Sequence, residues 1–388
     1  MYFRDVQHQE RALSLIRRGL RSGRTHHAYL FEGPEGVGKE MAANALAARL
    51  LCQGEVAADA DACGTCPSCR LLAAGNHPDF HLIHRGLHKL HPDRSVRASK
   101  GLFLAVDLIR HFLLEPATVK PSVGSRRVFV IRDAERMNEG AQNALLKTLE
   151  EPPGETVLIL VTSSAARLRP TIRSRCQCVP FGRLPADFVQ QRLAAEFTLP
   201  PAEAETLARL ADGRLGAAMR WHQIGLLTAV EEVGAALDGL ADQNPEAFGV
   251  KLVDTAAGLA TRAAQPNDAP TDNGDVAAEE DEEDAGPRTA KSKAVPTDEL
   301  RDALKLAFML VAAYERDALV ASAAPSAAAS LPTQRDRTAR RSRQLSSDQF
   351  DAHLDAVTHA ETMLDQNVAP QLVCERLAAA LTGAAPVV

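Results

Sequence analysis

One stretch constrains the fold more than any other. The apolar run Ala28-Tyr29-Leu30-Phe31 leads into Gly33-Pro34-Glu35-Gly36-Val37-Gly38-Lys39, and the alanine-rich segment from Glu40 to Leu51 follows. A buried strand, a glycine-rich turn and a helix in that order form a phosphate-binding loop. Its successive backbone N–H groups and helix N-terminus cradle phosphate, and its lysine pairs with the outer oxygens. Gly33, Gly36, Gly38 and Lys39 are therefore the candidate nucleotide contacts. Such a loop needs neighbouring strands, and Val128–Ile131 and Val157–Val161 supply them. Between these two strands lies a helix from Ala141 to Leu149, stopped by Pro152-Pro153. Strands alternating with helices predict an α/β domain over residues 1–181, with a parallel sheet and its sites on the loops at the strand ends.

Both ATPase elements of this domain depart from a working pattern. The residue after the loop lysine should carry a hydroxyl for Mg²⁺, and it is Glu40. A carboxylate there can meet a metal in principle, but it sits beside phosphate charge and repels it. The second element should be an acidic pair at the end of the Val128–Ile131 strand, one acid holding Mg²⁺ and the next orienting the attacking water. Here the pair is Arg132-Asp133. An arginine cannot hold a metal. Asp133 and Glu135 offer an alternative register, and the plainer reading of Asp133 is a strand-end carboxylate that caps or pairs with Arg132 or Arg136.

Seven cysteines in a chain of 388 residues do not make a disulfide scaffold. Four of them, Cys52, Cys63, Cys66 and Cys69, form a C-x10-C-x2-C-x2-C set over residues 52–69. Two-residue gaps let thiolates converge, and a cysteine at a helix end can close the tetrahedron, which predicts a structural Zn²⁺ site. An iron–sulfur cluster and free thiols are the alternatives. Cys176, Cys178 and Cys374 are expected to be unligated.

The rest of the chain reads as helical. Residues 182–262 form a small helical domain with a turn at Gly213. Residues 263–295, with the acidic run Glu279–Asp284, cannot build a core and read as a linker. Residues 296–388 form a further helical bundle, interrupted by a basic, alanine-rich stretch at 321–343 that is also expected to be a linker. The two charged inserts are complementary to each other, and the basic one to DNA as well. A formal net charge of -6 excludes a generic DNA-coating protein. Local basic surfaces remain open. Arg11, Arg17, Arg18, Arg21 and Arg24 crowd the region of the first helix, whose pattern runs from Glu10 to Leu20, as either a solvated face or a nucleic-acid surface. No run of about 18 apolar residues and no apolar leader segment is present, so the expected setting is cytoplasmic, without a membrane.

Thr171-Ile172-Arg173-Ser174-Arg175-Cys176 follows the third strand. In a ring of P-loop subunits nucleotide lies between neighbours, and an arginine reaching across stabilises the transferring phosphoryl. Arg175 is the candidate. Taken with Leu145-Leu146-Lys147-Thr148-Leu149-Glu150-Glu151-Pro152-Pro153 and the four-cysteine insert, the Ser-Arg-Cys motif resembles the bacterial clamp-loader AAA+ family of the DNA polymerase III holoenzyme. The likeness is dense over residues 1–181, weaker over 182–262, and returns at Asn367-Val368-Ala369-Pro370.

The resemblance implies an AAA+ P-loop NTPase-like domain with a zinc-binding insert, a helical lid and a helical C-terminal collar. It implies tau/gamma motor subunits and a delta subunit as partners in a pentameric ring. That ring loads a sliding clamp on primer–template DNA at the replisome. The departures select a non-motor member. Motor subunits carry Ser or Thr where Glu40 stands, Asp-Glu where Arg132-Asp133 stands, and a sensor arginine where Gly216 stands, unless Arg214 replaces it in another register. ATP would then be bound by the neighbour, Arg175 would act on it in trans, and this chain would have no catalysis of its own. Nothing resembles the paired acidic metal ligands of a polymerase. Asn143, Lys147 and Glu150 lie on a helix that in the family lines the DNA channel or supports the interface; capping and local ion pairs are the alternative. Two other readings are a tau/gamma-like ATPase motor and a zinc-containing nucleic-acid-binding module with a vestigial P-loop.

Overall fold

The computed structural model describes residues 2–99, 101–240, 245–265, 297–324 and 327–383. The acidic run Glu279–Asp284 lies outside the described residues, as does most of 263–295. The chain divides into two compact units, the first running to Pro185 and the second beginning at Ala186.

The first unit is built on five strands, β1 (Ala28–Glu32), β2 (Phe80–Ile83), β3 (Arg127–Ile131), β4 (Thr156–Thr162) and β5 (Gln177–Pro180). They form one sheet in the order β2-β3-β4-β1-β5, and every pairing is parallel. Strands β3 and β4 are buried along their whole length, as continuous apolar runs are when helices cover both faces. The helices are α1 (Glu10–Arg21), α2 (Lys39–Leu51), α3 (Pro67–Ala73), α4 (Arg94–Arg97), α5 (Val106–Ile109), α6 (Glu115–Ala117), α7 (Glu139–Glu150) and α8 (Pro170–Arg173). Helix α7 starts where the Asn138 side chain accepts a hydrogen bond from the Ala141 N–H at 2.8 Å, and it ends just before the two prolines. Because β1 lies between β4 and β5, its loop opens at the point where strand order reverses, the usual place for a ligand in such a sheet.

The two edge strands, β2 and β5, are not evident from the sequence. Each has four residues, and His81 or Gln177 breaks the apolar run. Beside β2, Asp79 and Arg127 form a buried ion pair at 3.3 Å, and Asp79 also accepts from the N–H groups of Ser122 and Val123 at 2.7 and 2.8 Å. Burial pushes the Asp79 carboxyl up, but these partners outweigh it and hold it below its ordinary range.

The second unit is helical: α9 (Ala186–Phe197), α10 (Pro201–Ala211), α11 (Leu215–Gln223), α12 (Leu226–Asp238), α13 (Pro245–Ala264), α14 (Thr297–Ala323), α15 (Arg335–Arg341), α16 (Ser347–Asp365) and α17 (Pro370–Thr382). Helix α13 packs on α14 and α17, and α14 on α16. Phe248, Leu252, Phe308, Val311 and Phe350 fill the interior. Tyr314 donates to the Val230 carbonyl at 2.7 Å, and its hydroxyl lies so close to Gly234 that a Cβ there would meet it at 2.3 Å.

The basic stretch at 321–343 is not a linker where it is described. Leu331, Gln334, Thr338 and Arg341 are buried, three or four residues apart, so one face of this segment packs inward. Arg341 binds Glu315 of α14, which is fully buried, and His353 of α16 lies 3.3 Å from the same carboxylate. Composition marked this segment as solvated; spacing explains why it folds.

Candidate functional site

The glycine-rich loop Gly33–Lys39 joins β1 to α2. Gly33, Gly36 and Gly38 have φ of 149°, 76° and 98°, a conformation that side chains with a Cβ rarely adopt. A Cβ on Gly33 would also lie 2.3 Å from the Phe181 carbonyl oxygen. Gln9 ties the loop down: its amide donates to the Val37 carbonyl at 3.2 Å and to the Gly182 carbonyl at 2.8 Å, and its oxygen accepts from the Gly182 N–H at 3.0 Å. No local pattern marked Gln9, because its partners lie on both sides of the loop and far along the chain.

Lys39 is buried, and its ammonium donates to the carbonyls of Gly33 and Pro34 at 2.7 and 2.5 Å. Burial lowers its pKa, against the opposing pull of Glu135, Glu35 and Asp133. Glu40, in the first turn of α2, meets Arg132, just past β3, in a direct ion pair. Asp133 pairs with neither arginine named for it above; Arg85 is its ion-pair partner, at 3.9 Å. Burial and Glu135 raise the Asp133 pKa. Glu135 is engaged at the end of β4, accepting from the Thr162 hydroxyl at 2.8 Å and from the Ser163 hydroxyl and N–H. Both carboxylates of the alternative register thus have partners on the protein.

The four cysteines come together. Their sulfurs all lie within 4.8 Å of one another, and the group could hold a metal ion. Cys52 caps the end of α2, Cys66 caps the start of α3, and Cys69 lies in its first turn. The N–H groups of Cys63, Cys66 and Cys69 point at the sulfurs of Cys52, Cys63 and Cys66 at 3.3, 3.3 and 3.4 Å. Such donors favour thiolate. The Thr65 and Cys66 amides lower the Cys63 thiol to about 6, whereas burial pushes Cys69 up to about 12. A dication amid the four would stabilise the thiolate form of Cys69. Four sulfurs with no other metal-binding group among them fit a closed structural Zn²⁺ site, which would clamp the 52–69 insert to α2. Next to it, Ser68 donates to the Leu51 carbonyl at 2.6 Å and contacts His77 Nε2 at 2.9 Å, fixing the insert from the side. Cys176, Cys178 and Cys374 lie outside this cluster.

Arg175 lies between α8 and β5. Its side chain is 34% exposed and ion-paired with Glu150 at the end of α7, at 2.6 Å. A second nitrogen donates to the Thr171 carbonyl at 2.9 Å. The guanidinium is thus held at the surface of its own unit. Of the first-helix arginines, Arg21 pairs with Asp59 at 2.6 Å and Arg17 lies over the Phe3 ring. In the second unit Arg214 precedes α11, lies over Trp221 and donates to the Ala211 carbonyl at 2.8 Å.

Residues 8–185 match the family described as DNA polymerase III, delta subunit. Over about half of its length the chain is similar to bacterial DNA polymerase III subunits. It is 41% identical over 206 residues to the DNA polymerase III subunit delta' of Pseudomonas aeruginosa, covering 52% of this chain and 57% of that protein. It is 35% identical over 203 residues to subunit delta' of Bacillus subtilis, covering 52% and 56%. Subunit tau of Salmonella typhimurium is 36% identical over 220 residues, covering 55% of this chain and 31% of its own. The chain thus spans little more than half the length of the delta' relatives it matches. Among solved structures, a gamma subunit-related protein of Thermotoga maritima aligns over 96% of this chain and 99% of its own, at 18% identity and a TM-score of 0.39. Among the described residues no helix is long and apolar enough to cross a membrane.

Proposed function

We propose that this chain is a delta-prime-like, non-motor subunit of the DNA polymerase III clamp loader. In this reading it stands in a pentameric ring with tau/gamma motor subunits and a delta subunit. It supports ATP-dependent loading of the sliding clamp on primer–template DNA, and works in the cytoplasm at the replisome. The first unit is the AAA+ domain with its zinc insert. The second unit supplies both lid and collar, and the collar holds the ring together. ATP bound by the adjacent motor subunit meets Arg175, whose guanidinium offsets charge developing on the transferring phosphoryl group. Nucleotide state on one chain then alters affinity between chains. This chain performs no hydrolysis, and any polymerase activity belongs to the complex.

The observation that carries this reading is a surface arginine on a chain whose own site lacks both the hydroxyl and the acid. Among the described residues Arg175 has one ion-pair partner, Glu150, which is itself half exposed and can release it. The similarity to proteins named delta' supports the same reading. In a complex reconstituted with tau/gamma and delta subunits, Arg175→Ala should leave this chain folded, impair clamp loading, and slow hydrolysis at the one adjacent motor site by about 10³-fold, the scale of an arginine finger; the ATPase of the whole complex falls by that site's share. Normal loading by that complex would refute the role. ATP turnover by the purified chain alone would instead favour the tau/gamma-like motor.

A further inference from the structure

The two residues that break the ATPase pattern are bonded to each other. Glu40 stands where a hydroxyl would touch Mg²⁺, and Arg132 where an acid would hold it. They come from α2 and from the end of β3, far apart in sequence, yet an Arg132 Nη donates directly to a Glu40 carboxylate oxygen. We infer that Glu40 and Arg132 are a matched replacement for the metal-binding pair, and that they close this chain's own phosphate loop to magnesium-bound nucleotide.

The chemistry of the donor set does not fit the metal. A guanidinium has five N–H donors and no lone pair to offer, so it cannot ligate a cation. It also carries a positive charge that opposes one. The hydroxyl and acid of a working site leave a net negative charge for Mg²⁺ to neutralise. Glu40 and Arg132 neutralise each other, so the pair itself offers a dication no net charge to balance. The phosphate side is closed as well. The Lys39 ammonium is bound to the carbonyls of its own loop, at Gly33 and Pro34. The charges of Glu135, Glu35 and Asp133 act on it, and a polyphosphate would meet the same negative charge.

Neither departure is workable alone. Reverting only Arg132 to an acid sets two carboxylates against each other. Reverting only Glu40 to a hydroxyl leaves the guanidinium at the metal position. Nucleotide binding should therefore return only when both are changed. The inference rests on reading Gly33–Lys39 as a phosphate loop, and it is independent of the role given to Arg175.

The test uses the full chain by itself, titrated against a fluorescent ATP analogue with magnesium and with EDTA. The forms compared are the wild type, Glu40→Thr, Arg132→Asp and the double variant. Only the double variant should gain magnesium-dependent affinity, at least about tenfold over its value in EDTA. A comparable gain in the wild type or in either single variant would overturn the proposal. So would a folded double variant with none. Should the double variant fail to fold, thermal midpoints of Glu40→Gln, Arg132→Gln and their combination decide the pairing. The combination should cost no more than the worse single change, and simple addition of the two losses would overturn it. Because no partner is present, a failed Arg175→Ala experiment leaves this result standing, and the reverse also holds.

Discussion

Two arginine–glutamate pairs, one in each unit, use the same chemistry for opposite ends. Arg341 and Glu315 are shut inside the second unit, with side chains 9% and 0% exposed. Arg132 and Glu40 lie at the mouth of the phosphate loop, 36% and 33% exposed. A buried charge without its partner is costly, so the first pair is a condition of folding. A pair that water reaches contributes little to folding, so the second is explained by what it does to the site rather than by what it adds to stability. Depth of burial, more than bond geometry, separates a structural ion pair from a functional one.

The buried pair should give the largest effect. Arg341→Ala leaves the buried Glu315 carboxylate with only the His353 ring beside it and should cost about 3–5 kcal/mol in urea unfolding of the chain. Replacing both with well-packed apolar residues, Arg341→Met with Glu315→Leu, should recover most of that loss. A single Arg341→Ala variant as stable as wild type would mean that water reaches Glu315, and the contrast between the two pairs would collapse.

The cysteine insert extends the comparison to a group with no built-in counter-charge. Purified under reducing conditions, the chain should carry stoichiometric zinc by elemental analysis. Cys69→Ser should weaken zinc binding by more than the ~10–100-fold lost when only a supporting group is removed. Chelation should loosen the 52–69 segment while α14 to α17 of the second unit stay protected in hydrogen exchange. Loss of protection in both units would show that the metal supports more than its own insert.

A smaller effect should appear with pH. His81 stacks on Phe129 with 4.7 Å between ring centroids, and its buried Nε2 has no hydrogen-bond partner among the described residues. Burial, reinforced by the Arg127 charge, lowers its pKa from 6.5 to about 4. Between those values the unfolded chain binds a proton that the folded chain does not, so stability falls as pH drops from 6.5 towards 4. His81→Phe should flatten that slope in urea midpoints measured at pH 7 and pH 5. Below the ordinary carboxylate range a second loss follows as Asp79 and Glu315 protonate, since both are held low in the folded state. An unchanged slope in His81→Phe would assign the first loss to other groups.

The sequence displays the phosphate loop, the three central strands and the four cysteines because each is a local pattern of a few residue types. Two-residue gaps bring thiols together, and a run of apolar residues makes a central strand. What it hides are the contacts made over long separations. Nothing near Glu40 points to Arg132, nothing near Arg175 points to Glu150, and Gln9 meets Gly182 only because β5 lies beside β1. The basic segment before α16 misleads for a related reason. Its composition is that of a solvated linker, and only the three-to-four-residue spacing of Leu331, Gln334, Thr338 and Arg341 discloses the buried face.

The smallest expected change in stability is also the most discriminating. Arg132→Gln should shift unfolding by less than about 1 kcal/mol, because water already screens the pair it breaks. The same substitution removes the positive charge from the position where a metal would bind. Glu40 remains, so nucleotide affinity should stay low. A loss as large as that of Arg341→Ala would place Arg132 among the residues that hold the fold, and its position at the end of β3 would then need no functional explanation. A small loss, set against the large one in the second unit, leaves the site as the reason for an arginine there.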